Sequence, residues 1–265
     1  MMLSAYVSGL GVLGPGLANW PEAAAVLSGQ VPYRPLPAVL PMPAILAAAE
    51  RRRVGRVVKL ALGVALEATA QAGENPAELA SVFSSSSGDG HNCHELCQAL
   101  SLAGREVSPT RFTNSVHNVA AGYWSIGTGA MVESNVLCAF DASFSAGLLE
   151  AMTQVAVDAM PVLLVAYDSE YPQPLHAKRP IPDAFGVALV LTPQRGASSL
   201  ARLDTALSGA DFHRFANPGL ETLRSSFPAA RSLPLLRLLA VRSGGSAILE
   251  YLDVSRLQVH IASCA

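Results

Sequence analysis

The sequence predicts an α/β protein in which helices cover a mixed sheet, and three features carry that reading. Segments with strand character alternate with segments of helical periodicity along most of the chain, the order that layers helices onto a sheet. Two runs, residues 162–167 and 187–191, are apolar without interruption, as strands buried on both faces are. The 265 residues are 51% hydrophobic and only 14% charged, which excludes disorder and provides for a sizeable core.

The elements follow in order. Residues 5–10 read as the first strand, then comes the turn Gly11-Val12-Leu13-Gly14-Pro15-Gly16 and a helix over 20–28. The Pro-rich stretch 32–43 crosses the surface. Within 57–70, Val57, Leu60, Ala61, Val64, Ala65 and Ala68 recur at i, i+3, i+4 and i+7; this is a buried amphipathic helix, and Gly73 ends it. A short strand over 79–83 enters a Ser/Gly loop over 84–90, with helices over 93–102 and 120–126 beyond. Residues 135–140 form a strand, and Phe144, Leu148, Ala151, Met152 and Val155 line one face of the helix after it. A leucine-rich helix over 233–239 and a strand pair over 247–252 and 257–261 close the chain. No repeat or low-complexity linker intervenes, so the expectation is one domain over 1–207 with a C-terminal appendage over 208–265 packed on it.

Composition narrows the function. Eighteen Lys+Arg face 20 Asp+Glu, too few basic groups for a nucleic acid partner. No window supplies about 20 apolar residues in a row, so membrane insertion is not expected. Residues 1–16 lack a basic n-region, which argues against a signal peptide. Cys93, Cys97, Cys138 and Cys264 have no paired spacing, and the expected address is the cytoplasm. A mean hydropathy of +0.34 predicts apolar surface covered by a partner.

The most informative stretch is Cys138-Ala139-Phe140-Asp141-Ala142-Ser143-Phe144-Ser145-Ala146-Gly147. A strand ends there in a tight turn of small residues and a helix begins at once, an arrangement that holds one side chain over a helix N-terminus. Asp141 or Ser143 could equally serve as the helix cap. His91, Cys93, His94 and Cys97 cluster at a spacing too compressed for common zinc sites, and no metal or cofactor is expected. The 84–90 loop lacks the Gly-Lys-Ser/Thr ending of a phosphate cradle. His117, between Asn114 and Asn118, is either a candidate functional group or a structural histidine fixed by its neighbours. Arg51, Arg52, Arg53 and Arg56 form the basic cluster, read either as a docking patch for an acidic partner or as a solvated face.

The turn resembles the nucleophile turn of the β-ketoacyl synthases, the thiolase-like condensing enzymes of fatty-acid and polyketide synthesis. Val7-Ser8-Gly9-Leu10-Gly11, residues 83–90, Ser108-Pro109-Thr110-Arg111-Phe112, Asn114-Ser115-Val116-His117-Asn118 and residues 162–170 fall in that family's order. The resemblance covers about residues 4 to 195 and is strongest to a divergent branch associated with aryl polyene clusters. It implies a single half of the ketosynthase fold. Synthases place a cysteine nine residues ahead of an acidic-Ala pair; here that pair is Glu150-Ala151, and counting back lands on Asp141. A carboxylate there forms no thioester, and Cys138 stands three residues earlier, in the expected strand. The half that supplies two histidines in a complete synthase is also expected to be missing.

The resemblance therefore implies a non-catalytic subunit, like a chain-length factor, paired as a heterodimer with a complete β-ketoacyl-ACP synthase and visited by acyl carrier protein at the arginine cluster. A homodimer is the alternative. Phe112, Asn114, His117, Asn118, Phe140 and Phe144 are the expected channel and interface residues, and the strand over 135–140 is expected at an exposed edge. Two other readings stay open: an active condensing enzyme with Cys138 as nucleophile and His117 as base, and a stand-alone acyl- or carrier-binding module.

Overall fold

The computed structural model describes residues 3–264. In chain order its elements are β1 (Leu3–Leu13), α1 (Trp20–Leu27), α2 (Ala48–Arg51), α3 (Arg56–Ala72), β2 (Ala80–Ser84), α4 (Gly90–Ser101), α5 (Pro109–Thr113), α6 (Val119–Thr128), β3 (Ser134–Leu137), α7 (Ser143–Asp158), β4 (Val162–Asp168), α8 (Leu175–Lys178), β5 (Phe185–Thr192), β6 (Ala201–Ser208), α9 (Pro218–Ser226), α10 (Leu233–Val241), β7 (Gly245–Leu249) and β8 (Arg256–Ser263). The strands make one sheet in the order β3-β2-β4-β5-β1-β6-β8-β7. β2 runs parallel to β3 and β4, and the other neighbours are antiparallel.

Period-2 alternation sorts the central strands between two cores. Val162, Leu164 and Ala166 of β4 face one core with α7, α1 and α10, while Leu163, Val165 and Tyr167 face the other with α3 and α6. Both faces are covered, which is why β4 and β5 read as unbroken apolar runs. Local signals set several helix ends. Asn19 caps α1 by accepting from the Glu22 amide at 2.9 Å, Asp89 caps α4 through the Asn92 amide at 2.9 Å, and Gly73 closes α3 at φ 73°.

Helix α3 lies against β1 more closely than any side chain there would permit. A Cβ on Gly9 would stand 2.1 Å from the Ala68 carbonyl oxygen, and one on Gly11 would stand 2.1 Å from that of Val64. The same contact settles a hydrogen-bond problem. β6 pairs with β1 only as far as Val7, so later amides on that side lose their strand partner, and α3 supplies acceptors in its place. Gln71 accepts from Leu10 N–H at 2.7 Å, and Glu67 accepts from Val12 at 3.0 Å and Trp20 at 2.6 Å. Burial pushes the Glu67 carboxyl pKa up against the lowering effect of those two bonds.

Three local expectations change. The strand over 135–140 is shorter, because the chain leaves β3 after Leu137 and enters a 3₁₀ turn over Phe140–Ala142. β6 was not read as a strand: Ala201, Leu203 and Thr205 are buried with half-exposed residues between them, and Arg202 and Asp204 hide the alternation. α9 was also missed. β8 pairs along the whole of β6 and β7 pairs with β8, so the chain beyond Ser208 extends the same sheet.

Glu67→Ala orphans the amides of Val12 and Trp20, each at a cost of about 1–3 kcal/mol. Glu67→Gln keeps one acceptor oxygen and loses less. Denaturant midpoints of the two variants should therefore fall in the order wild type, Gln, Ala.

Candidate functional site

The site is the turn between β3 and α7. Among the described residues β3 is the outermost strand, paired only with β2, so one side of its backbone is open. Beyond it Ser143 ties the turn: its Oγ accepts from Ala139 N–H at 3.1 Å and donates to the Phe140 carbonyl at 2.7 Å. Phe140 itself takes φ 51°, left-handed backbone that a bulky residue rarely adopts.

Asp141 does not cap α7, contrary to one expectation; no side chain bonds that helix start. Its carboxylate instead lies between two arginines, with Oδ1 2.7 Å from Arg179 Nη2 and Oδ2 3.0 Å from Arg231 Nη2. Arg231 continues to Glu250 at 3.1 Å, which also takes Arg224 at 2.6 Å, and Arg224 holds Glu221 at 2.7 Å. Arg179 further covers the Phe140 ring, its guanidinium carbon 3.7 Å from the ring centroid. The network joins the turn to α9 and to the end of β7. A cavity of about 920 Å³ opens beside it, lined by Phe140, Asp141, Phe212, Arg231, Glu250 and Leu252 among others.

Beneath the turn, buried Asp168 joins two loops by accepting from Ser86 N–H and Ala229 N–H, each at 2.9 Å. Desolvation pushes its pKa up to about 6, opposed by those hydrogen bonds and by the charge of Arg179. Neighbouring Tyr167 is wholly buried, and its phenol pKa is raised by the same cause.

With this geometry in view, the family model for the β-ketoacyl synthase N-terminal domain matches residues 19–225. The chain belongs to this family. Its fold is the thiolase-like half of a ketosynthase. It superposes on a chain of the complex between ketosynthase ApeO and its chain length factor ApeC from Xenorhabdus doucetiae with a TM-score of 0.73 at 22% identity, covering 97% of this chain and 99% of that one. The ishigamide ketosynthase/chain length factor gives 0.72 at 16%, covering 99% and 100%. The AntDE:AntF complex, a type II polyketide ketosynthase with its acyl carrier protein, gives 0.76 at 11%, also covering 99% and 100%. The chain matches no curated protein sequence.

The remaining candidate residues of this family member separate in space. Cys138 lies past the end of β3, not within it, and is exposed; its thiol donates to the Ser86 carbonyl at 3.0 Å. His117 does not pair with it: its ring packs beside Gly88, and its buried Nε2 has no hydrogen-bond partner. The flanking asparagines do not fix that ring either, because Asn114 donates to the Arg53 carbonyl at 2.8 Å and accepts from Tyr123 at 3.2 Å. Asn114, Asn118, Val116 and Ile126 line a cleft of about 410 Å³ that shares no residue with the cavity at the turn. Phe112 and Phe140 are 69% and 63% exposed. Phe144, expected beside them, is only 1% exposed and packs into the core of its own chain, so no partner buries it.

In the basic cluster, Arg53 pairs with Glu50 at 2.8 Å, and Arg56 pairs with Glu170 at 2.6 Å and Asp183 at 2.9 Å. Arg51 and Arg52 form no such pair. Among the described residues no three His, Cys, Asp or Glu side chains come together as metal ligands, and no described helix is long and apolar enough to cross a membrane. Sequence reasoning missed Arg179, Arg231, Glu250 and Asp168, since their partners lie 19 to 90 positions away and leave no local spacing to read.

Two outcomes follow from the site's charges. Asp141→Ala removes the shared partner of Arg179 and Arg231 and should cost about 1.5–3 kcal/mol for each charged hydrogen bond lost, less whatever solvent recovers; a thermal melt measures it. The folded chain keeps a proton on Asp168 up to about pH 6, whereas the unfolded chain releases it near the ordinary 3.8. The stability this group contributes is therefore complete below about pH 4 and is lost as pH rises through 6. The stability gap between wild type and Asp168→Asn should accordingly widen as pH is lowered from 6.5 to 4, measured by denaturant unfolding.

Proposed function

We propose that this chain is a non-catalytic, chain-length-factor-like subunit that pairs with a complete β-ketoacyl-ACP synthase in fatty-acid or aryl polyene polyketide synthesis. One observation carries the reading: the turn between β3 and α7, which resembles the family's nucleophile turn in sequence, presents Phe140 and an arginine-bound Asp141 and no thiol. Covalent acyl transfer needs a nucleophile with a base within hydrogen-bond reach. Cys138 and His117 form no such pair. The similarity to chains of ketosynthase/chain length factor complexes supports the pairing, and so does the open edge of β3, which a partner's strand would complete. The partner protein supplies the chemistry, and this chain shapes the space beside it. Arg51 and Arg52 are the basic groups left to attract an acyl carrier protein, a role favoured by long-range charge.

Co-expression with a complete synthase encoded beside it should yield a co-purifying pair, and incubation with a cerulenin-type inhibitor should leave this chain's intact mass unchanged. A stoichiometric adduct on Cys138 would instead make the chain an active condensing enzyme. A monomer that ignores the synthase would leave only a carrier-binding module.

The exposed rings divide the work. Burying one ring is worth about 1.5–3 kcal/mol, so Phe140→Ala should weaken association by roughly 10- to 100-fold, read as a dissociation constant. Phe112→Ala should shift the product profile toward longer chains by opening space, read by mass spectrometry of the assembled pair's products.

A further inference from the structure

Counting along the chain puts Asp141 at the nucleophile's position, yet the backbone singles out its neighbour. Phe140 is the residue held at φ 51°, at the point where the chain leaves β3 and turns into α7. A strand-to-helix turn projects the side chain of its strained apex residue, and a non-glycine residue keeps such a conformation only where its surroundings over-determine it. Here they do. Ser143 grips the backbone on both sides of Phe140, accepting from Ala139 N–H and donating to the Phe140 carbonyl, and Ala142 N–H closes on the Ala139 carbonyl at 2.9 Å. Asp141 lines the same cavity as Phe140, but both of its carboxylate oxygens are taken by Arg179 and Arg231. Phe140 projects outward, 63% exposed, with Arg179 stacked on its ring.

We infer that Phe140, not Asp141, occupies the position from which this turn would present a nucleophile, and that its ring, held by Arg179, is what stands in the thiol's place. The assignment rests on reading the turn as the counterpart of a nucleophile turn. Asp141 is then a positioning residue: it fixes Arg179, and Arg179 fixes the ring.

Two measurements on the full chain, without partner or substrate, test this. In the first, Phe140→Cys and Asp141→Cys are alkylated with iodoacetamide at pH 7 and the modified peptides are resolved by mass spectrometry. The arginines beside residue 141 favour a thiolate there, as the α7 N-terminus does at 140, so each rate is normalised to the thiolate fraction from its own pH profile and then reports access. So normalised, Phe140→Cys should react at least tenfold faster than Asp141→Cys. Equal rates, or a faster thiol at 141, overturn the assignment. The second measurement does not depend on Asp141→Cys folding. Because left-handed backbone favours glycine, Phe140→Gly should melt at or above the temperature of Phe140→Ala; the reverse order overturns the assignment. Failure to co-purify with a synthase bears on the proposed pairing and leaves both of these readouts unaffected.

Discussion

The close seat of α3 on β1 is the constraint from which much of the architecture follows. Two glycines, Gly9 and Gly11, let helix carbonyls approach to a distance that any Cβ would occupy. At that distance Glu67 and Gln71 reach the β1 amides that β6 abandons, so β1 can serve two roles along its length. Its first half joins the β6-β8-β7 side of the sheet, and its second half, paired on its other side with β5, needs no further strand. Glu67 extends the arrangement to Trp20 and so places the start of α1 as well. A half-buried carboxylate is an expensive acceptor, and its raised pKa records that cost. It persists because the main-chain amides of Val12 and Trp20 would otherwise go without acceptors.

A second organising element is electrostatic and lies at the turn. Asp141, Arg179, Arg231, Glu250, Arg224 and Glu221 form a chain of alternating charge whose members come from five separate parts of the sequence. Arg224 is almost fully buried, and a guanidinium in that position needs both of its carboxylate partners to offset desolvation. The consequence for the site is rigidity. The turn after β3 is joined to the chain beyond residue 208, so the segments around Arg231 and Glu250 help to hold it.

Legibility in the sequence followed the range of the interactions. Elements written in local periodicity were readable: the α3 stripe with its Gly73 stop, the unbroken apolar β4 and β5, and the Phe144–Val155 face of α7 all match the structure closely. β6 escaped because Arg202 and Asp204, which pair with each other at 2.9 Å, occupy its half-exposed face. The site was readable as a turn and as a family resemblance, while its side-chain partners were not. Asp141 looked like a helix cap because cap preference is a local rule, and two arginines arriving from distant loops overrode it. Phe144 looked like an interface ring for the same kind of reason: sequence distance from Phe140 is short, but α7 turns its side chain inward.

What the turn retains is as informative as what it lacks. A left-handed phenylalanine costs on the order of 1–3 kcal/mol, and a helix start without a side-chain cap forgoes about 1 kcal/mol more. A turn with no further purpose could relax by one substitution to glycine at 140 or by letting Asp141 cap α7. In this chain the Ser143 bonds, the Asp141 clamp and the Arg179 stack all oppose such relaxation. They hold the main chain in a strained strand-to-helix turn that carries a phenyl ring and an arginine-bound carboxylate. What these contacts fix is therefore a surface at the open edge of β3, and a rigid surface beside an unpaired strand suits the docking proposed above because its ordering cost is met before any association.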